Sequence, residues 1–382
     1  MRKLITLKPL EPYFFGGERT FGGYGENNSK LAGSYFIRSL NTPAQTALFG
    51  VLRYLGIQEK QADYALKEKD KDNIGAASFN LLQVPSDGKI GRILRISPLY
   101  LMDNDGDMYV PAPFDHNTDK KNNHIYAPYL DYSSARQTVG CGDSVQERIF
   151  PKAFKAKNGL CFAWMRLKDG AIRAEDDIFR PVARPHVDKQ KVIQSGAEQE
   201  KGFVKREYKI MPDFCFAFIA EVEKGFTCRA QEPQVVYMGQ KKSAFAATIG
   251  DFSDDEMKET DATLKTLLRL RHDGFPAAKP LADHVFVYLQ SDAYLGEKTI
   301  DQLYNCCSFA MALPKEHRIF TTNYEAGGNH LRRYRKGEQL LRFLRAGSVF
   351  WARKESIVQF RAEIDNAHRQ MAGFNHIVTG EE

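Results

Sequence analysis

Phe14-Phe15-Gly16-Gly17-Glu18-Arg19-Thr20-Phe21-Gly22-Gly23 sets two glycine pairs around an acid, a base and a hydroxyl, with aromatic residues on both sides. Glycine takes positive φ without steric cost and lets backbone amides approach a ligand closely. Successive amides form an anion-binding concavity, and the Arg19 guanidinium can fork onto a phosphate. The same composition also describes a plain glycine-rich turn. No Gly-Lys-Ser/Thr follows, so the stretch is not a P-loop, and Gly16, Gly17, Gly22 and Gly23 do not fit the G-x-G-x-x-G of a dinucleotide site.

Outward from this stretch the chain alternates strand and helix patterns. Upstream, Arg2-Lys3-Leu4-Ile5-Thr6-Leu7 reads as a strand that Pro9 and Pro12 end. Downstream, Thr42 is the expected N-cap of a helix, with Pro43 in its first position and Gln45 completing a capping box. Ala44, Leu48, Val51, Leu52 and Leu55 give that helix one apolar face, and Gly56 stops it. Glu59–Asp72 reads as a solvated helical segment. Strands are expected over Leu94–Leu101, Met108–Val110, Leu160–Leu167, Phe214–Val222 and Val285–Gln290, within Val235–Ile249, and over Val349–Ala352. Asp103-Asn104-Asp105-Gly106-Asp107 is a hairpin turn and not a calcium loop, because its glycine sits one place early and no twelfth-position Glu follows. A second capping box, Ser253–Glu256, opens a helix with Leu264, Leu267 and Leu268 inward. Ile300–Ala312 reads as a helix, Asn323–Lys336 as a loop, and Ile357–Met371 as a helix capped by Gly373.

These patterns predict an α+β chain of two ferredoxin-like (RRM-like) βαββαβ domains with inserted loops. The boundary is expected near Asp177–Arg184, giving domains over 1–180 and 181–382. His116–Lys157 has no clean period and reads as an insertion in the first domain.

At 382 residues the chain is long enough for two cores, and 43% hydrophobic with 12% aromatic content describes a globular protein. Its six cysteines (141, 161, 215, 228, 306, 307) show no C-x-x-C and no zinc spacing with histidine. They read as reduced core residues of a cytoplasmic protein, with Cys306–Cys307 as helix packing, and no metal or cofactor is expected. No apolar run reaches membrane length and the first residues carry no signal-peptide core, so no membrane partner is expected. Fifty-four basic against 48 acidic residues give a formal charge of +6, which permits a nucleic-acid partner. Phe179–Ile210 concentrates eight Lys/Arg against four acids around Gln194–Gly202, read as a mobile centre.

Several short stretches fall into a known order. Pro9-Leu10-Glu11-Pro12-Tyr13-Phe14-Phe15 with Gly17–Phe21, Thr46–Arg53, Ile96–Leu101 with Tyr109–Pro113, and Phe203–Glu207 come first. Met238–Ala244, Ala346–Trp351 and Gly373-Phe374-Asn375 complete it. In this the chain resembles the RAMP superfamily of CRISPR effector proteins, most closely the Cmr-type (type III-B) subunit that holds the 5′ tag of the guide RNA. It departs from the family where Gly16-Gly17-Glu18-Arg19 stands for an Arg-Asp-Gly-Arg run, with Arg19 the clear match, and where Gly239-Gln240 stands for a Gly-Gly. The resemblance implies two ferredoxin-like folds and no catalysis. Its implied partners are the guide RNA, target RNA near the tag end, the large polymerase-like subunit and the RAMP backbone subunits.

A grip on single-stranded RNA needs phosphate partners and flat groups on which bases stack. Arg19 with Phe15 and Phe21, Lys205-Arg206 with Tyr208, and Arg332-Arg333-Tyr334-Arg335 each offer that mix. Candidate RNA-binding residues are therefore Gly17, Arg19, Thr20 and Phe21; Arg53; Arg184, Lys205 and Arg206; Lys241, Lys242 and Ser243; and Arg332, Arg333 and Arg335. The competing reading is a stand-alone, metal-independent RAMP endoribonuclease with a histidine as general base. His116, His124, His186 and His330 lie in expected loops, and none has a partner at a telling spacing. A third reading is a structural spacer between subunits.

Overall fold

The computed structural model describes residues 1–16, 19–21, 35–57, 68–76, 79–82, 90–118, 126–129, 136–141, 144–149, 160, 162–187, 203–228, 233–239, 241–273, 283–296, 300–317, 320–323, 333–336 and 341–380. The chain opens with β1 (Arg2–Pro9), in which Ile5 and Leu7 are fully buried. β2 (Arg19–Phe21), β3 (Tyr35–Arg38) and α1 (Gln45–Leu55) follow. α1 starts later than its capping pattern predicts. Ala44 holds the N-cap without a side-chain hydrogen bond, and the Gln45 amide instead donates to the Gly373 carbonyl at 3.1 Å. The apolar face is as expected, with Leu48, Leu52 and Leu55 fully buried. Gly56 ends the helix for want of room: a Cβ there would stand 2.5 Å from Ile74 at the end of α2 (Glu68–Ile74). Asp70 and Asn73 of α2 are buried, so this part of Glu59–Asp72 is not a solvated face, and 58–67 lie outside the described residues.

Pro98 splits the single strand expected over 94–101 into β4 (Ile93–Ile96) and β5 (Tyr100–Asp103). β5 pairs with β6 (Met108–Pro111) through the acidic turn. There Asp103 Oδ1 accepts the N–H groups of Asp105 and Asp107 at 3.0 and 2.9 Å. The span read as a patternless insertion holds two hairpins, β7 (His116–Thr118) with β8 (Tyr126–Tyr129) and β9 (Arg136–Cys141) with β10 (Ser144–Ile149). Then come β11 (Ala163–Arg166), β12 (Ile172–Ala174), α3 (Glu175–Ile178), β13 (Arg180–Val187), β14 (Phe203–Ile210) and β15 (Phe214–Val222). The hairpin β16 (Gln234–Met238) and β17 (Ser243–Phe252) leads to α4 (Asp254–Asp273). Here the capping box is real: Glu256 N–H donates to Ser253 Oγ at 3.1 Å, and Ser253 N–H to Glu256 Oε2 at 2.6 Å. Ser253→Ala is expected to cost about 1 kcal/mol in denaturant unfolding, as a working N-cap does, and Thr42→Ala close to nothing. Equal losses would contradict this assignment.

The remaining elements are β18 (His284–Leu289), β19 (Ala293–Tyr294), α5 (Ile300–Asn305), β20 (Cys307–Met311), β21 (Pro314–His317), β22 (Phe320–Asn323), β23 (Arg333–Lys336), β24 (Leu341–Leu344), β25 (Val349–Arg353), α6 (Ile357–Ile364), α7 (Ala367–Met371) and β26 (Ile377–Thr379). α5 covers half the helix expected over 300–312. Cys306 and Cys307 are buried at a helix–strand junction, not packed along one helix. The last turn of the expected Asn323–Lys336 loop is strand β23, paired with β22. The long C-terminal helix breaks at Asp365, and Asn366 Oδ1 caps α7 by accepting Arg369 N–H at 3.0 Å.

The main sheet runs β12-β11-β6-β5-β15-β1-β17-β16, with β4 also on β15. Its described strand pairs are antiparallel, and the chain is α+β as expected. β1 lies between β15 and β17, so a division at residue 180 would cut it from both hydrogen-bonded neighbours. One face of this sheet packs on α1 through Phe216, Phe218, Phe245 and Leu48. Its other face packs Tyr100, Ala217 and Ile219 against Phe286, Tyr288 and Trp351 of a second sheet, β20-β25-β18-β26. α5 and α6 close the far side around Leu303, Phe350 and Phe360.

Two of the motif stretches serve this sheet-to-sheet contact. Gly347 (φ 94°) donates to Leu289 O and accepts from Phe114 N–H, each at 2.8 Å; a Cβ there would stand 2.8 Å from Ala112 O. Gly373 sits 2.5 Å, by the same measure, from Ser97 O. The fully buried Asn375 accepts Tyr294 N–H at 2.9 Å and donates to the Tyr294 and Ile364 carbonyls at 3.0 and 2.7 Å. Nearby, burial works against the charge of Asp292, but Lys315 Nζ at 2.6 Å and Ala346 N–H at 2.9 Å outweigh it and hold the carboxyl below its usual value. The folded chain thus favours the carboxylate. Its contribution is complete above the unfolded value of about 3.9 and drains away as pH falls through the lower folded value. Lys315→Met is expected to raise the midpoint of acid unfolding followed by circular dichroism; an unmoved midpoint would remove the pair from acid stability.

Candidate nucleic-acid interface

A small separate sheet, β13-β14-β3-β2, gathers the basic residues. β14 and β3 run parallel, with Lys205 opposite Phe36 and Arg206 opposite Ile37. β13 adds Pro185 and Arg184 to those two rows, and β2 adds Thr20 and Arg19. The glycine-rich stretch is tied to this sheet by backbone. Tyr13 and Lys209 exchange hydrogen bonds at 2.9 and 3.0 Å, Ser39 N–H reaches Glu207 O at 2.9 Å, and Leu40 N–H reaches Gly16 O at 3.0 Å. Phe14, Ile37 and Tyr208 form a small core beneath it.

Strand alternation sends neighbouring side chains to opposite faces. On one face the half-buried Phe36 ring has Lys205 Nζ 5.7 Å and Arg38 Cζ 5.4 Å from its centroid. Arg38 is also 4.0 Å from Glu207, whose other oxygen takes Lys209 at 3.0 Å. On the other face Arg184 Cζ stands 5.3 Å from the Tyr208 centroid. Arg206 Nε is buried there with no hydrogen-bond partner among the described residues. An orphaned buried donor costs about 1–3 kcal/mol, so an acceptor brought by a ligand would be bound favourably. An aromatic plane between two cations is the arrangement that stacks a base and holds its flanking phosphates.

The tip of the β16–β17 hairpin meets the same place. Gly239 (φ 75°) lies so close to Phe14 that a Cβ would stand 2.4 Å from its carbonyl oxygen. Lys241 and Lys242 are exposed on the tip, with Lys242 N–H closing the turn onto Gly239 O at 3.0 Å. Ser243 is 3% exposed, and its Oγ accepts Phe14 N–H at 3.0 Å. It supports the stretch and does not face a ligand.

The candidates therefore divide. Arg184 and Arg206 share the face that packs on Phe14, Lys205 lies on the opposite face beside Phe36, Lys241 and Lys242 sit on the hairpin tip whose Gly239 touches Phe14, and the backbone of Arg19, Thr20 and Phe21 runs at the sheet's edge. Gly17 and Arg332 lie outside the described residues. Arg333 and Arg335 sit opposite Asn323 and Thr321 in the two-stranded ribbon β22–β23, which pairs with no other described strand. Arg53 is corrected outright. It is 8% exposed, and its guanidinium donates to the Ile74 and Gly75 carbonyls at 2.8 and 3.0 Å, tying α1 to the end of α2. Phe36 and Arg38 were missed; the one signal was an aromatic and a cation two apart in Tyr35-Phe36-Ile37-Arg38.

Of the loop histidines, His116 and His186 lie on β7 and β13, and His124 and His330 lie outside the described residues. Among the described residues His284 holds both a carboxylate and a hydroxyl, with Asp283 and Ser308 each at 2.8 Å; it is 8% exposed at the end of β18, in another sheet. No group of three or more His, Cys, Asp or Glu among the described residues could hold a metal. Burial pushes the Cys215 and Cys228 thiols up to about 11, so both stay protonated at neutral pH. No helix among the described residues is long and apolar enough to cross a membrane.

No curated protein matches the chain. Among solved structures it is similar to a chain of the type III-B Cmr-beta complex bound to cognate target RNA. That likeness has 13% identity and a TM-score of 0.49, over 99% of this chain and 96% of that one. A chain of the same complex with cognate target RNA and AMPPnP, state 1, gives 11% identity and a TM-score of 0.47 over the same shares. The family model described as CRISPR-associated protein (Cas_Cmr3) matches residues 5–382. The chain belongs to the Cas_Cmr3 family of CRISPR-associated proteins.

Proposed function

We propose that this chain is a non-catalytic RNA-binding subunit of a type III-B effector complex that grips the 5′ tag of the guide RNA. In this reading it lies near the tag end of the target RNA and bridges the large polymerase-like subunit to the RAMP backbone subunits. The observation that carries it is Phe36 with Lys205 and Arg38 both over its ring, in the same small sheet whose other face packs on Phe14 of the glycine-rich stretch.

The same reading takes the chain as two ferredoxin-like units. β5-β15-β1-β17 has the strand order 2-3-1-4, and β20-β25-β18-β26 with α5 and α6 repeats that order with both helices. The division then falls between α4 and β18 and not at residue 180. RRM modules stack bases on their open sheet face. Here those faces bury Tyr100, Tyr288 and Trp351 against each other, which leaves RNA to the small sheet.

The test is fluorescence anisotropy of labelled tag RNA with the purified chain at several salt concentrations. Affinity should fall with a log–log slope of about −0.7 per neutralised phosphate. Lys241→Ala with Lys242→Ala should flatten the slope by about 1.4 if each lysine neutralises one phosphate. A shared slope would take the hairpin tip off the RNA path and favour the spacer reading.

A further inference from the structure

We propose that a cavity where α4, β15 and β26 meet holds the base of a nucleotide, either free or at one position of an RNA chain. The cavity measures about 380 Å³, a volume in the range of small-molecule sites. Ile96 and Ile219 of the first sheet, Val378 of the second and Leu264 of α4 give it apolar walls. It is not the Phe36 site. Arg2 lines it, whereas Pro9 leads toward the small sheet, and the seven steps of β1 between them span about 24 Å at about 3.4 Å per residue.

The polar groups in this cavity are not spent on one another. Tyr100 and Gln290, 1% and 7% exposed, both line it, and Gln290 Nε2 donates to the Tyr100 hydroxyl at 3.1 Å. Burial raises the Tyr100 hydroxyl above its usual value, so it keeps its proton. Whichever way the amide is turned, the pair retains at least two N–H or O–H donors with no acceptor among the described residues. Buried donors left unmet are costly, so a ligand that brings acceptors is bound favourably. His376 supplies the complement. Its Nε2 stands 3.3 Å from the Gln370 carbonyl, which can only accept, so Nδ1 carries the lone pair. Burial lowers this imidazole to about 4, which leaves it neutral at pH 7.

Donors beside an acceptor, between apolar walls, match the edge and the faces of a nucleobase. An inorganic anion would leave the His376 lone pair unused and would meet Asp261, which also lines the cavity. The phosphate finds its partners at the exposed mouth, in Lys265 and in Arg95, itself 2.6 Å from Glu221.

The test is isothermal titration calorimetry of the full chain with AMP, GMP, CMP and UMP, beside ribose 5-phosphate. At least one nucleotide is expected to bind about tenfold or more tighter than ribose 5-phosphate. Tyr100→Phe, which removes one O–H and keeps the ring, is expected to weaken that nucleotide about tenfold. Lys265→Glu, at the exposed mouth, should weaken it as well and serves if Tyr100→Phe does not fold. Phe36→Ala should leave it bound as before, so the inference stands or falls apart from the tag-binding reading. Single-stranded RNA that displaces the nucleotide from the Phe36→Ala chain makes the source an RNA, and RNA that leaves it in place makes it a free nucleotide; both uphold the site. The inference is overturned if no nucleotide binds tighter than ribose 5-phosphate. It is equally overturned if neither Tyr100→Phe nor Lys265→Glu changes the affinity, or if Phe36→Ala abolishes it.

Discussion

Asn375→Ala is expected to lower the stability of the folded chain by at least about 3 kcal/mol, read as a shift in the urea midpoint. The side chain closes three hydrogen bonds to Tyr294 N–H, Tyr294 O and Ile364 O in a site with no exposure. Removing it orphans the Tyr294 N–H and the Ile364 carbonyl at about 1–3 kcal/mol each, while the Tyr294 carbonyl keeps the Arg369 guanidinium at 2.6 Å. Asn375 also holds φ at 58°, a left-handed conformation that asparagine tolerates better than alanine. Gly373, two residues before, has φ 82° and contacts the first sheet, so the loss would also loosen the packing of the two sheets. A change under about 1 kcal/mol would mean that water takes over both groups and that this turn is not what holds them.

The second large effect concerns RNA. The triple variant Phe36→Ala, Arg38→Ala, Lys205→Ala is expected to weaken tag-RNA binding by at least about 3 kcal/mol, more than 100-fold. Losing one base stacked on an aromatic ring costs about 1–3 kcal/mol, and each charge-assisted contact to phosphate about 1.5–3. Arg38 and Lys205 are exposed and Phe36 is half-buried, so the fold should survive, which circular dichroism would check. Unchanged affinity in a folded triple variant would place the RNA away from the small sheet. Loss of affinity with an unchanged salt slope would leave Phe36 as the contact and dismiss the two cations.

Much of the architecture was readable from local pattern. The apolar run Phe214–Val222 is a strand with those bounds, Ser253 and Glu256 form the capping box, and the acidic turn is a hairpin. What failed was non-local. Thr42 satisfies every local rule for an N-cap, but Gln45 has a better partner at Gly373, 328 residues away. The pairing of β1 with β15 and β17 is likewise invisible to any short window. Phe36 was overlooked because four residues are too few for a period, and its strand is defined by a parallel partner 169 residues on, at Val204↔Tyr35 and Lys205↔Phe36. Arg53 shows the opposite error: composition marks it as a surface cation, and only tertiary packing reveals two backbone carbonyls waiting for it.

The position of β1 between β15 and β17 also sets a timetable for synthesis. Both partners of residues 2–9 lie within 214–252. At about 5–20 residues per second, the ribosome needs roughly 10–50 s after making the first strand before its second partner exists. For most of that interval the first strand has neither of its native partners, a condition in which unpaired edges invite aggregation. Shielding by chaperones, or by early docking of α1 over Ile5 and Leu7, is therefore most needed until Phe252 has been made. Recombinant fragments ending near residue 180 stop the chain permanently at that stage, and are expected to emerge as insoluble material where the full chain folds.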